Sequence, residues 1–335
     1  MGGRPAQATA SRRYGYNIEP VDARHPARFM NTLRSRIAAA LSWAIRNARP
    51  SSVHAAVRDC VSRLRQRRWA AAKAGAAQYL ERRTAGRMRM RFYLDSRVCR
   101  PMYVGTFEPD EQRFVERLLK PGDRFYDIGA HYGLFTLIAS RRVGRSGRVV
   151  AIEPTPETRA RLDANLGLNS VSNVDVLPVA VSDSSGQVRM SVSTTHQEAW
   201  NSLAPTEPGS GFEQLTVPSV TLDGLVAERG EAGRIALLKI DVEGWERHVL
   251  RGARMLLQGA DAPVLTVEFS DIMMQRDGSS CCELYRDLVE LGYAMYTYDA
   301  GRNRMIEEPC RRHYGYANLI ACKSLEAVNA RLGAK

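Results

Sequence analysis

Four acidic residues stand directly at the ends of apolar runs: Asp127 after Phe125-Tyr126, Glu153 after Val149 to Ile152, Asp241 after Ile235 to Ile240, and Glu268 near the end of Pro263 to Phe269. A fifth, Asp183, follows the run Asn173 to Val181. A carboxylate at the tip of a strand can accept hydrogen bonds from ribose hydroxyls, help hold an ammonium group, or take a proton from a reacting hydroxyl. In open α/β sheets the carboxyl ends of the strands are the ligand edge. The recurrence of acids there predicts a site built on several parallel strands.

The sharpest pattern is Asp127-Ile128-Gly129-Ala-His131-Tyr-Gly133, followed by a helical stretch and then Arg148 to Glu153. That order is strand, glycine turn, helix, strand, acid. A dinucleotide site usually reads G-x-G-x-x-G, and this chain has Asp127 where the first glycine would stand. An acid beside the turn repels a pyrophosphate. It suits S-adenosylmethionine, which has no phosphates and carries a cationic amino-acid end. Glycines are expected to let that ligand approach the backbone. Glu153 is assigned to the ribose. Pro154 after it holds its backbone extended and delays the next helix.

The segments DIGAHYG, VAIEP, VAVSD, SVTLDGL, LLKIDVEGWERHVLRGA and VLTVEF, in this order, resemble the FkbM family of S-adenosylmethionine-dependent methyltransferases. Lys-Ile-Asp-Val-Glu-Gly-x-Glu followed by Val-Leu-x-Gly is the most specific part. The resemblance runs from about Phe125 to Phe269, with a weaker continuation to Cys322. It implies an α/β fold of the Rossmann-like, class I methyltransferase kind, with a seven-stranded, mostly parallel sheet and helices on both faces. It also implies O-methylation of a carbohydrate or secondary-metabolite hydroxyl. On this reading Asp127, Gly129, His131, Gly133, Glu153 and Asp183 bind the cofactor, with Asp183 toward the adenine. His131 departs from the family's usual Asn. Asp241 faces the transferred methyl and orients the acceptor or takes its proton. His196, His131 and Glu268 are the other candidate bases. No metal is assigned; Mg²⁺ on Asp241 and other strand-end acids is the weaker alternative.

The chain has 335 residues and a net charge of +12, but the charge is uneven. Residues 1–100 hold 22 Lys and Arg against 5 Asp and Glu, so the remainder is mildly acidic. Residues 1–30 are expected to be disordered, 31–104 to form a basic helical extension, 105–325 the catalytic domain and 326–335 a tail. The extension is read as a docking surface or as extra helices on the domain. A basic contact with an anionic membrane surface and nucleic-acid binding are the competing readings. The chain lacks the Asp/Asn-Pro-Pro-aromatic motif of many base methylases, which disfavours an RNA or DNA substrate. A non-catalytic adaptor is the remaining alternative. The six cysteines form no C-x-x-C. With no secretory pattern and no apolar stretch of 18 residues, a cytoplasmic protein is expected.

Helices are expected at Pro109 to Leu119, Gly133 to Arg142, Pro156 to Leu168, Leu222 to Glu228, Glu243 to Leu257 and Cys282 to Leu291. Val188 to Val192 and Leu215 to Val220 alternate like edge strands. The polar loop between them, Ser193 to Glu213, is expected to act as a flap. Trp245 is assigned to the core stripe of its helix. Late strands are expected at Ala294 to Tyr298 and Ala317 to Cys322.

Overall fold

The computed structural model describes residues 50–84, 87–193, 201–203 and 211–333. Residues 1–30, expected to be disordered, the first part of the expected basic helical extension (31–49) and His196 lie outside the described residues. The chain divides into two compact units, Met1–Val61 and Ser62–Lys335.

In chain order, helix α1 (Pro50–Lys73) leads to a hairpin of β1 (Tyr79–Arg83) and β2 (Arg89–Tyr93). Short helices α2 (Cys99–Val104) and α3 (Pro109–Leu118) follow. Then come β3 (Arg124–Ile128), α4 (Leu134–Val143), β4 (Arg148–Ile152), α5 (Pro156–Gly167) and β5 (Val174–Leu177). The strands β6 (Ala180–Val181), β7 (Gly186–Ser193) and β8 (Phe212–Val220) precede α6 (Leu222–Glu228) and β9 (Ile235–Ile240). The last part holds α7 (Glu246–Arg251), α8 (Arg254–Gln258), β10 (Val264–Phe269), α9 (Asp271–Met274), α10 (Cys281–Glu290), β11 (Ala294–Asp299), β12 (Arg304–Glu307), β13 (Ala317–Cys322) and α11 (Leu325–Leu332).

The main sheet has eight strands in the order β12-β11-β13-β10-β9-β3-β4-β5, one more than expected. The extra strand is β12, an edge strand antiparallel to β11. Strands β10, β9, β3, β4 and β5 run parallel, and β13 and β11 return antiparallel. The chain travels outward from β3 through β4 and β5, then re-enters on the other side of β3 as β9. That reversal leaves a crevice at the strand ends.

The two faces of the sheet carry different chemistry. Tyr126, Ile128, Val150, Ile152, Leu238, Ile240 and Val267 point into one apolar core. Phe125, Val149, Ala151 and Leu237 point into the other. Side chains alternate along a strand, so this second face continues through Asp127, Glu153, Lys239, Asp241 and Glu268. It turns from apolar to charged at the carboxyl ends. Each fully buried apolar side chain in these layers contributes roughly 1.5–3 kcal/mol.

Three expectations change. The run Asn173 to Val181 is not one strand: Pro178, which has no N–H to give a ladder, separates β5 from β6, and β6 joins β8 and β7 in a separate three-stranded sheet. The helix expected from Glu243 to Leu257 starts later and is broken. Glu243 and Gly244 take left-handed conformations (φ 55° and 98°), so α7 begins at Glu246. The Gly252 carbonyl leaves the helix to accept the Asp223 N–H at 2.8 Å. The Asp223 carboxylate returns the contact, accepting from Met255 N and Leu256 N at 2.9 and 2.8 Å and so capping α8. The C-terminal residues form α11, whose Val328 and Leu332 enter the core.

Residues before β3 also belong to this packing. Trp69, Phe92 and Tyr103 are buried together, with the Phe92 and Tyr103 rings 5.5 Å apart. Arg161 on α5 pairs with Asp95 and lies over the Tyr93 ring at 4.4 Å. Among the described residues, no helix is long and apolar enough to cross a membrane.

Candidate functional site

The ends of β3, β4 and β9 are level with one another. Ile128 pairs with Ile152 on one side and Ile240 on the other, so Gly129, Glu153 and Asp241 are the next residues out. The turn after β3 is pinned by Gly129 N and Ala130 N, which both donate to Ile152 O at 3.0 Å. It passes through His131 (φ 50°) and closes with Gly133 N donating to Ala130 O at 2.9 Å. Asn165 on α5 ties the turn to the hairpin: Nδ2 donates to Tyr132 O at 2.9 Å, and Oδ1 accepts from Arg91 N at 2.8 Å.

A cavity of about 420 Å³ opens over this edge, a size typical of small-molecule sites. Asp127, Gly129, His131, Glu153, Asp241 and Glu268 all line it. The glycines themselves serve packing. A Cβ on Gly129 would lie 1.8 Å from Asp241 O, and one on Gly133 would lie 2.4 Å from Leu162 Cδ1. Both have positive φ. Close approach of a ligand is therefore not what requires glycine at either position.

Asp127 is 1% exposed. Its Oδ2 accepts from Thr136 Oγ1 at 2.5 Å, while Oδ1 has no hydrogen-bond partner among the described residues. Burial pushes its carboxyl up, against the pull of Lys239 and the Thr136 hydrogen bond. Glu153 is held by two backbone donors, His131 N to Oε2 at 3.1 Å and Thr155 N to Oε1 at 2.9 Å. Burial raises its pKa to about 7 despite those bonds.

Lys239 stands two residues before Asp241 and donates to its Oδ2 at 2.5 Å. Burial works against the lysine's charge, but Asp241, Asp127 and Glu108 outweigh it and hold its pKa above the ordinary value. Burial and then neighbouring carboxylates hold Glu243 and Glu268 well above the usual range; Asp241 is first among those neighbours for Glu243, and Glu243 for Glu268. Glu246 folds back to accept from Val242 N at 3.0 Å and Gly244 N at 3.1 Å, fixing the loop that carries Glu243.

Asp183 is not brought to this cavity. Its Oδ2 is 2.7 Å from His248 Nδ1, and His248 Nε2 is 2.9 Å from Asp277 Oδ2. Burial opposes ionisation of Asp183, but the His248 hydrogen bond outweighs it and lowers the pKa. Trp245 is likewise displaced from the core. Half-buried, it stacks on His248 at 3.6 Å and donates from Nε1 to Ser182 Oγ at 3.0 Å.

Other residues of the site carry no sequence signal. Glu108 precedes Pro109 and reads as an ordinary helix-start acid, yet it is buried, accepts from the Tyr316 hydroxyl, and is raised by burial and by Asp241 to about 7. Val98, Met102 and Phe107 form an apolar part of the wall. From the loop expected as a flap, Asn201 and Leu203 line the cavity, and Ser202 Oγ donates to Glu243 O at 2.5 Å.

Residues 127–295 match the family described as the methyltransferase FkbM domain. The chain is 34% identical over 173 residues to 31-O-demethyl-FK506 methyltransferase FkbM of Streptomyces tacrolimicus, covering 43% of this chain and 63% of that protein. It is 29% identical over 160 residues to hexuronic acid methyltransferase AglP of Haloferax volcanii, covering 48% and 62%. The chain thus spans less than two thirds of the length of these relatives. The solved methyltransferase FkbM from Methylobacillus flagellatus aligns with a TM-score of 0.37 at 14% identity, over 67% of this chain and 54% of that one, a likeness too distant to argue from. The family match takes in half of the chain, from the Asp127 turn through β9 and β10, and on that extent the chain belongs to the FkbM methyltransferase-domain family.

Proposed function

We propose that the protein is an S-adenosylmethionine-dependent O-methyltransferase acting on a hydroxyl of a carbohydrate or secondary metabolite. The observation that carries this reading is the pair of buried carboxylates at adjacent strand ends. Asp127 presents an Oδ1 with no partner among the described residues, and Glu153 is fixed by two backbone donors, both on a cavity of about 420 Å³. A buried acceptor without a partner costs free energy unless a ligand supplies a donor. The cofactor has such donors: an ammonium group for Asp127, reached directly or through water, and ribose hydroxyls for Glu153. When bound, it supplies a methyl group on a sulfonium, already activated for transfer.

The chain's own task is then modest. Asp241, held by Lys239, orients the acceptor hydroxyl toward the methyl. Fixing that alignment supplies much of the rate, and a base adds about 10²–10⁴-fold. The two named relatives, a methyltransferase of a demethylated FK506 and one of hexuronic acid, support an oxygen acceptor on a natural product or sugar.

Calorimetric titration with S-adenosylmethionine and S-adenosylhomocysteine, with NAD as control, tests the reading. Micromolar binding of the first two and none of NAD is expected. Glu153→Ala should weaken it roughly 10- to 100-fold, the range for a hydrogen bond to a charged group. A folded protein that binds neither methyl-cycle ligand would overturn the proposal.

A further inference from the structure

Asp241 and Glu243 leave the end of β9, and Glu268 stands near the end of β10. One carboxylate oxygen of each lies within 4.8 Å of the others. The strands pair in parallel through Ile240 and Val267, so Asp241 and Glu268 are the next residues along each. The left-handed turn at Glu243 brings the third carboxylate back to them.

A second observation points to a ligand. Glu268 is 4% exposed, lines the cavity, and its Oε2 has no hydrogen-bond partner among the described residues. An unpaired carboxylate removed from water costs several kcal/mol. Its neighbours make this worse, since Glu243, Asp241 and Glu246 all repel it. Glu108 and Asp127 add further negative charge beside Asp241. Among the described residues, Lys239, already bonded to Asp241, and Arg276, which acts on Glu243, are the cations that face the group.

We propose that Asp241, Glu243 and Glu268 form a binding site for a hard divalent cation of the Mg²⁺, Mn²⁺ or Ca²⁺ type. The donor set is all oxygen, which selects such ions over zinc or copper. Oxygens on opposite sides of Ca²⁺ at about 2.3–2.6 Å stand roughly 4.6–5.2 Å apart, and neighbouring ones stand closer, so a spread within 4.8 Å admits the ion. Mg²⁺ or Mn²⁺ draws the side chains slightly inward. The cation sits on the same cavity as the proposed acceptor, so it would grip the acceptor's oxygens. That role rests on the proposed methyl transfer; the site itself does not.

The test is Mn²⁺ titration of the full chain by electron paramagnetic resonance, with neither cofactor nor acceptor present. One Mn²⁺ per chain is expected, displaced by Mg²⁺ or Ca²⁺. Glu268→Gln should lower the affinity at least roughly tenfold with an unchanged circular dichroism spectrum. Glu243→Gln, at a partly exposed position, should do the same and serves if the first variant misfolds. No stoichiometric binding by folded wild type up to about 1 mM, or unchanged binding in both variants, overturns the site. Titrating the same sample with S-adenosylmethionine separates the two ideas. Cofactor binding without Mn²⁺ removes only the cation site, and Mn²⁺ binding without cofactor removes only the methyltransferase reading.

Discussion

The backbone carbonyl of Asp241 lies where a side chain on Gly129 would have to go: a Cβ there would be 1.8 Å from the oxygen. The two ends of β3 and β9 are therefore in contact through the absence of one methyl group. Gly129→Ala must push β9 away and also strain a residue at φ 80°. Together these should cost about 3 kcal/mol or more. Urea denaturation measures it, and a midpoint equal to wild type would refute the close approach.

Asp127→Asn keeps the shape and an acceptor for the Thr136 hydroxyl while removing the negative charge at Oδ1. Folding stability should change little, and affinity for S-adenosylmethionine should fall about tenfold. S-adenosylhomocysteine carries the same ammonium group and should weaken equally. A loss confined to the sulfonium form would show that Asp127 acts on the methyl-bearing centre instead.

Glu153 should leave a signature in stability against pH. Burial raises its folded pKa to about 7 from an ordinary 4.5. The fold therefore binds this proton more tightly than the unfolded chain does. Its contribution is fully present below about pH 4.5 and is lost as pH rises through 7. Relative to Glu153→Gln, wild type should lose up to about 3 kcal/mol between pH 5 and 8. Paired melts of the two proteins across that range test this, and a constant difference between them would contradict it.

Asp223, which does not line the cavity, offers a control. Asp223→Ala removes the acceptor for both Met255 N and Leu256 N and should cost roughly 1 kcal/mol, as lost caps do. Cofactor affinity should stay at the wild-type value. A drop in affinity would mean that the α7–α8 break transmits to the site.

What could be read from the sequence follows physical range. Apolar runs ending in acids located β3, β4, β9 and β10 and four of the carboxylates, because strand composition and strand ends are local properties. The glycine turn was visible, but its reason was not: the demand at Gly129 comes from a carbonyl more than a hundred residues away. The break at Gly252 was hidden for the same reason, since Asp223 supplies it from another helix. Asp183 sits in a strand-end pattern like the others, yet its partner His248 turns it elsewhere. Glu108 and Tyr316 meet only through the fold.

The packing before β3 separates two truncations. Removing residues 1–49 deletes none of the described elements. Removing 1–104 takes away Trp69, Phe92 and Tyr103 from the core and Val98 and Met102 from the cavity wall. The first truncation should remain monodisperse and bind cofactor; the second should aggregate. Size-exclusion chromatography with calorimetry distinguishes them, and a folded second product would show that the hairpin and α2 are dispensable.

Val98, Met102 and Phe107 reach the cavity from chain that precedes the sheet, whereas Asp127, Glu153, Asp241 and Glu268 stand in or directly after strands of the sheet. Part of the pocket's apolar wall is thus encoded upstream of the strand-end acids. Selection can remodel the opening by changing a ten-residue window without touching the acids proposed to hold the methyl donor. A library confined to those three codons is the economical place to search for altered acceptor preference.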